Sequence, residues 1–201
     1  MTPILLNQLR SIITSPLISK FCKKFEENEI LLRKSIDTSI CTVLIGLDNI
    51  IDNTILYDNI IESISFTEFY KTVEYEDGKL SSINYSFEHE GFTPLNLIFL
   101  AKKGRISEMI SNEVGVKSET AAALLNFAVM LILSHLKNEK QKATKIQDHL
   151  NSEKKTILNT VPEGIRIILG YPNFECEEAY FSSSSLVKTN SKIHFLSKIF
   201  K

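Results

Sequence analysis

The side chains that could carry chemistry are scattered along this chain. The four histidines are isolated, and neither an HExxH motif nor a cysteine–histidine spacing that would bind zinc occurs. Glu88-His89-Glu90 puts a base between two carboxylates, but adjacency in sequence does not build a site, and a solvated turn is the simpler interpretation. GxSxG, GxxxxGK and GxGxxG motifs are absent from the sequence. We therefore predict no catalytic, cofactor-binding or metal-binding residues. A hydrolase remains the weakest alternative, because catalytic triads assemble in space.

Cysteine usage points to a reducing compartment. Cys22, Cys41 and Cys176 are odd in number and show no CxxC spacing, so we expect free thiols. Cys41 lies in an apolar stretch and is expected to be packed. The first 16 residues mix polar with apolar side chains and lack the uninterrupted core of a signal peptide. We expect a cytoplasmic protein.

The overall composition is that of one globular domain. The 201 residues are 43% hydrophobic and 23% charged, and a chain of this length can bury a sizeable core without disulfides or metal. The net charge is −1 and the isoelectric point is about 6.4. The chain as a whole therefore has no attraction for nucleic acid or for an anionic membrane, although a local basic patch remains compatible with these values.

The most apolar stretch predicts a buried central helix from about residue 118 to 136. Its apolar side chains follow the helical spacing i, i+3, i+4, i+7, with a second apolar face beside the first. A membrane span is the competing interpretation, but it needs about 20 apolar residues, and Asn126, Ser134 and His135 interrupt the run. A buried Asn126 requires a hydrogen-bond partner.

Residues 104–136 have the pattern of a helix, a glycine turn and a second helix. Gly115 is suited to the left-handed conformation that ends a helix. This pattern resembles a DNA-binding corner, but the second helix is too apolar to lie in a groove. The lysine face at 137–155 could still contact phosphates. The candidate nucleic-acid contacts are Lys140, Lys142 and Lys145.

The remaining chain predicts further helices, at about 3–14, 17–25, 27–51, 53–63, 92–100 and 152–159. The stretch 72–92 is ambiguous. Asp77-Gly78 is a hairpin signal, but the second arm loses its alternation between Leu80 and Ile83, so we favour a loop and a short helix. The predicted fold class is an all-α, orthogonal multi-helix bundle around the central helix 118–136, spanning residues 1–170.

The last 31 residues, 171–201, predict a linker and a flexible tail. Ser182–Ser185 has linker composition, and the end of the chain is basic and amphipathic. Docking of this tail onto a partner or a membrane surface competes with folding back onto its own domain and with disorder. The candidate contact residues are Lys192, Ile193, Leu196, Lys198 and Phe200.

Three blocks of sequence resemble a known bacterial family. They are the end of the third helix (CTVLIGL), the segment GRISEMISNEVGVKSETAAALLNFAVMLILSHL, and the closing HLNSEKKTILNTVPEGI. Their order and spacing resemble the family catalogued as domain of unknown function 937, which includes the YidB-like proteins. The resemblance covers about residues 3–170 and departs from the family's pattern at 53–92. It implies an all-α domain of short helices, and it implies no reaction and no catalytic residues.

These observations favour a non-enzymatic helical domain that acts through protein–protein contact or self-association. A DNA-binding protein that uses 104–136 and the lysine face is the alternative.

Overall fold

A computed structural model describes residues 5–64, 74–76, 79–82, 87–138 and 143–174. Within these ranges the helices are α1 Leu5–Ile12, α2 Ser15–Phe25, α3 Glu29–Asp48, α4 Thr54–Ser63, α5 Phe87–Glu90, α6 Phe92–Phe99, α7 Lys103–Val114, α8 Ser118–Asn138, α9 Ala143–Thr160 and α10 Glu163–Leu169. Two antiparallel strands, β1 Glu74–Glu76 and β2 Lys79–Ser82, form a hairpin. A 3₁₀ turn, Leu100–Lys102, joins α6 to α7.

The predicted all-α class and the predicted central helix are both confirmed. Helix α8 packs against α3, α5 and α7, and its side chains from Ala123 to Leu133 are all buried. By length and composition alone, Ser118–Lys137 could cross a membrane, but 78% of this apolar stretch is buried inside the protein. The apolar surface of α8 is thus covered by neighbouring helices, as in the core of a helical bundle.

An aromatic cluster holds α2, α5 and α8 together. The cluster consists of Phe21, Phe87 and Phe127, each fully buried, with ring centroids 5.1 to 6.0 Å apart and steeply inclined planes. Such edge-to-face contacts add to the stabilisation that burial of the rings provides. The cluster therefore ties the short α5 to the centre of the fold.

Asn126 has the partner that its burial requires. Its Nδ2 donates to the backbone oxygen of Glu88 at 2.9 Å, at the end of α5. A Cβ atom on Gly91 would stand 2.7 Å from the Asn126 backbone oxygen, so the turn after α5 lies directly on the α8 backbone. This close approach fixes where α6 begins.

The expectation for residues 72–92 is wrong in its first half. A hairpin forms at 74–82, and the expected short helix follows as α5. The strand register shifts between the pairs Glu74–Ser82 and Tyr75–Leu80, so a bulge absorbs the lost alternation that had argued against a hairpin. The Thr14 hydroxyl donates to the Leu80 backbone oxygen at 3.2 Å, which anchors the hairpin after α1.

A second correction concerns residues 143–160, which form one helix of 18 residues instead of a polar stretch followed by a short helix. Ile146, Leu150, Ile157 and Leu158 form its buried side. The carboxylate of Glu153, only 5% exposed, accepts hydrogen bonds from the backbone amides of Leu5 (2.6 Å) and Leu6 (2.9 Å). It thereby caps the positive end of α1 and binds the first helix to α9.

Candidate functional site

The predicted contact residues differ in what the structure describes of them. Lys145 is exposed on α9. Lys140 and Lys142, and all five tail residues (Lys192, Ile193, Leu196, Lys198 and Phe200), lie outside the described residues. Tail docking and a phosphate-binding role for these lysines therefore stay predictions.

The helix–turn–helix pattern at 104–136 is an internal corner of the bundle. Gly115 ends α7 with φ 87°, as its sequence position predicted. Because α8 is buried along most of its length, its side chains do not reach outward to read bases. On the neighbouring α9, Lys154 is engaged with Asp48, with Nζ 2.8 Å from Oδ2. A DNA-binding role would thus depend on the remaining lysines of the 137–155 face.

Groups suited to catalysis do not converge in the described part of the chain. No three histidine, cysteine or acidic side chains come together there in an arrangement that could hold a metal ion. Cys41 is fully buried, as expected, and burial raises the pKa of its thiol to about 12. Since the thiolate is the reactive form, Cys41 is inert at neutral pH and serves packing.

The most unusual surface lies where α6 meets α7. The end of α6 rests on Gly46 of α3, where an added Cβ would collide with the Phe99 ring and stand 2.6 Å from a methyl group of Ile98. This contact fulfils the expectation that Gly46 marks a close helix contact. The chain then turns outward at Leu100, which adopts φ 52° and ψ −134° and is 72% exposed.

Leu100 is both strained and exposed. A non-glycine residue at such a positive φ costs about 1–3 kcal/mol and persists only where its surroundings enforce it. Burial does not compensate here, since most of the side chain faces solvent. Phe92, at the start of α6, is a second large apolar residue at the surface, with 54% of its area exposed.

Cations surround these two apolar side chains. Residues 91–107 include Lys102, Lys103 and Arg105 and contain no acid. The ammonium of Lys103 stands 3.3 Å from the centroid of the Phe92 ring, a cation–π contact, and partial burial lowers the Lys103 pKa from its ordinary value. We call Phe92, Leu100, Lys102, Lys103 and Arg105 the basic corner.

A surface of opposite character lies on α4. Ile55, Asp58, Asn59 and Glu62 follow the spacing i, i+3, i+4, i+7 and are all exposed, while Tyr57 and Ile60 on the other side are buried. Ile55 is 74% exposed. We call these four residues the acidic face. Helix α4 packs against α6, so the acidic face and the basic corner belong to adjoining elements.

Within the described ranges, no ion pair joins the two surfaces. The ion pairs of the described residues involve other side chains, such as Arg10 with Asp37 and Lys24 with Glu88. Asp58, Glu62, Lys102, Lys103 and Arg105 therefore keep their charges available for another molecule.

Sequence reasoning missed both surfaces. It treated Lys102-Lys103-Gly104 only as the end of a helix and α4 only as a short helix. Two signals were present: the run of 17 residues, 91–107, without an acid, and the two acids that share one side of α4 with Ile55. Neither signal reveals that Leu100 and Phe92 face solvent, because that depends on which side of α6 the core covers.

Comparisons with known proteins add no relative to this description: a scan against family models, a search of curated proteins and a search of solved structures each found no match. The resemblance to the family of unknown function 937 therefore stays a prediction.

Proposed function

We propose that this chain is a helical interaction module that self-associates, with the basic corner of one copy against the acidic face of a second copy. The observation that carries the proposal is the chemical complementarity of the two surfaces. One presents Leu100 and Phe92 with three cations, and the other presents Ile55 with two carboxylates. A cytoplasmic location is part of the proposal, because the described cysteines, Cys22 and Cys41, are free thiols.

The adjoining positions of the two surfaces favour a symmetric dimer. In a two-fold interface the same patch is used twice, so each corner meets the partner's acidic face and each acidic face meets the partner's corner. Leu100 and Ile55 then lose contact with water, which supplies the apolar contribution of about 25 cal/mol per Å². The ion pairs fix the register and exclude a like-charged pairing.

The strained Leu100 supports a binding role. A strained, exposed leucine lowers the stability of the isolated chain, whereas burial of its side chain against a second copy gives a compensating contribution that exists only in the complex. Interfaces also concentrate their binding energy in a few large apolar or aromatic residues that lie within a polar rim. Phe92 and Leu100 within their three cations have this arrangement.

The test is a charge exchange followed by sedimentation velocity at about 1–100 μM protein, a range that detects micromolar association. We expect the unmodified chain to dimerise, with weaker association in high salt. The corner variant Lys102→Glu/Lys103→Glu and the face variant Asp58→Lys/Glu62→Lys are each expected to be monomeric, because like charges then face one another. An equimolar mixture of the two variants restores the dimer, since each reversed patch meets a native partner of opposite sign.

Two matched controls accompany the exchange. Lys20→Glu/Lys145→Glu makes the same change in net charge at exposed positions outside both surfaces and is expected to leave the dimer intact. Ile30→Ala removes an apolar side chain that is 75% exposed, close to the 72% of Leu100, so it controls for Leu100→Ala, which we expect to weaken the dimer. A chain that stays monomeric over the whole range, or a dimer that survives both charge reversals, contradicts the proposal.

A further inference from the structure

A separate cavity lies between α1, α2 and α3, with a volume of about 170 Å³. The side chains that line it are four isoleucines and three charged residues: Ile13, Ile18, Ile36, Ile40, Arg10, Arg33 and Asp37. We call it the Arg10 cleft. Its lining is distinct from the basic corner and from the acidic face, which lie on α4, α6 and α7.

The floor of the Arg10 cleft is apolar. Ile18, Ile36 and Ile40 are each at most 3% exposed, and Ile13 forms a partly buried wall. A cavity of about 150 Å³ lined by aliphatic side chains accommodates benzene, so this cleft has room for an apolar group of about five or six carbons. Branched aliphatic walls favour a compact, branched occupant over a flat polar one.

One end of the rim is a fixed guanidinium. Arg10 donates from Nε to Asp37 Oδ1 at 2.6 Å and from Nη2 to Asp37 Oδ2 at 2.7 Å, and this bidentate contact raises the Arg10 pKa. Two of the five N–H groups of a guanidinium are used in this pair, so three remain as donors of fixed direction. The pair also holds Arg10 in place before any ligand arrives.

The other end of the rim carries Arg33. Its Nε donates to Glu29 at 2.8 Å, and its Nη2 stands 3.4 Å from the hydroxyl of Ser15, the first residue of α2. The positive end of the α2 dipole therefore lies beside this guanidinium. The residues that line the cleft comprise two arginines and one aspartate, a net charge of +1. A charge of +1 above an apolar floor matches a ligand with a single negative charge.

We propose that the Arg10 cleft binds a small branched-chain monocarboxylate. The branched carbon chain packs on the four isoleucines, and the carboxylate accepts hydrogen bonds from the free N–H groups of Arg10 and Arg33. Asp37 orients Arg10 and repels a second carboxylate, which selects monoanions over dianions. This site is independent of the proposed self-association, and either can be present without the other.

The test is a calorimetric titration of the full chain with 4-methylpentanoate, with heteronuclear NMR shifts to locate the contact. Two ligands separate the contributions: 4-methylpentanamide keeps the apolar body and removes the charge, and acetate keeps the charge and removes most of the body. We expect 4-methylpentanoate to bind about tenfold or more tighter than either, because charged hydrogen bonds and apolar burial each contribute. Shifts are expected at Ile13, Ile18 and Ile36.

Variants of the chain make the assignment specific. Arg33→Gln, at an exposed position, is expected to weaken 4-methylpentanoate binding about tenfold, because a charge-assisted hydrogen bond is lost. Lys145→Gln removes the same charge elsewhere and is expected to change nothing. Ile13→Phe fills part of the cavity and is expected to block binding of 4-methylpentanoate.

Three outcomes overturn the proposal. They are no binding of 4-methylpentanoate up to about 20 mM, which lies beyond even weak ligand affinity; equal binding of the amide or of acetate; and unchanged binding by Arg33→Gln. Should Ile13→Phe fail to fold, the ligand series and Arg33→Gln still decide the question.

Discussion

The aromatic cluster and the basic corner use large apolar side chains in opposite ways. Phe21, Phe87 and Phe127 are fully buried and contact one another between helices. Phe92 and Leu100 leave more than half of their surface in water and stand among cations. Both regions are joined to the core, since Phe99, the residue before Leu100, packs on Gly46.

This difference separates stability from binding. Burial accounts for the cluster, because each ring adds apolar contact and excludes water. It does not account for an exposed leucine at φ 52°, which lowers the stability of the isolated chain. The corner is better explained by a second molecule that covers it. Substitutions that affect the two regions differently therefore test this interpretation.

The largest expected effect compares two phenylalanines. Phe127→Ala leaves a cavity among rings and aliphatic side chains and is expected to lower the free energy of unfolding by about 3–5 kcal/mol. Phe92→Ala removes a ring that is 54% exposed and is expected to cost about 1 kcal/mol or less. Urea denaturation followed by circular dichroism measures both. Equal losses would mean that Phe92 supports the fold as much as the cluster does.

The next effect compares two glycines. Gly46→Ala forces a Cβ into Phe99 and Ile98, so we expect a loss of about 1–3 kcal/mol and weaker dimerisation as the corner shifts. Gly104→Ala in the first turn of α7 meets no atom within 4 Å, so it is expected to raise stability by about 0.5–1 kcal/mol. Thermal unfolding ranks the two variants, and a Gly46→Ala protein as stable as Gly104→Ala would disprove the close contact.

The smallest effect has the opposite sign for stability and for binding. Leu100→Gly relieves the positive φ at the corner, and the unfolded chain gains freedom that offsets part of this relief, so we expect a net stabilisation of about 1 kcal/mol. The same substitution deletes an apolar contact and is expected to weaken the dimer. The measurements are the unfolding midpoint and sedimentation of one sample. A destabilised Leu100→Gly protein would show that the leucine supports its own domain.

The sequence predicted those elements whose signal is local and periodic. Helices α3 and α8 carry apolar residues at helical spacing over five or more turns, so their presence and burial were correctly expected. The need of Asn126 for a partner followed from its apolar surroundings alone, and Glu88 supplies it. The hairpin was missed because a bulge disturbs alternation, and the first half of α9 was missed because only Ile146 and Leu150 mark its buried side.

The candidate sites depend on contacts that no local pattern contains. Arg10 and Asp37 are 27 positions apart, and the Arg10 cleft takes its lining from three different helices and the residue that follows α1. The basic corner is visible in sequence as charge, but its exposure depends on which side of α6 meets α3 and α8.

By itself, the sequence determined that this chain forms an all-α bundle around one apolar helix, because periodic burial is a property of each segment. Only the tertiary structure decided that Leu100 is forced outward, that Arg10 is held by Asp37, and that an acidic and a basic surface lie on adjoining helices. The physical reason is that exposure and pairing are set by the packing of distant segments, which the order of residues along one helix does not specify.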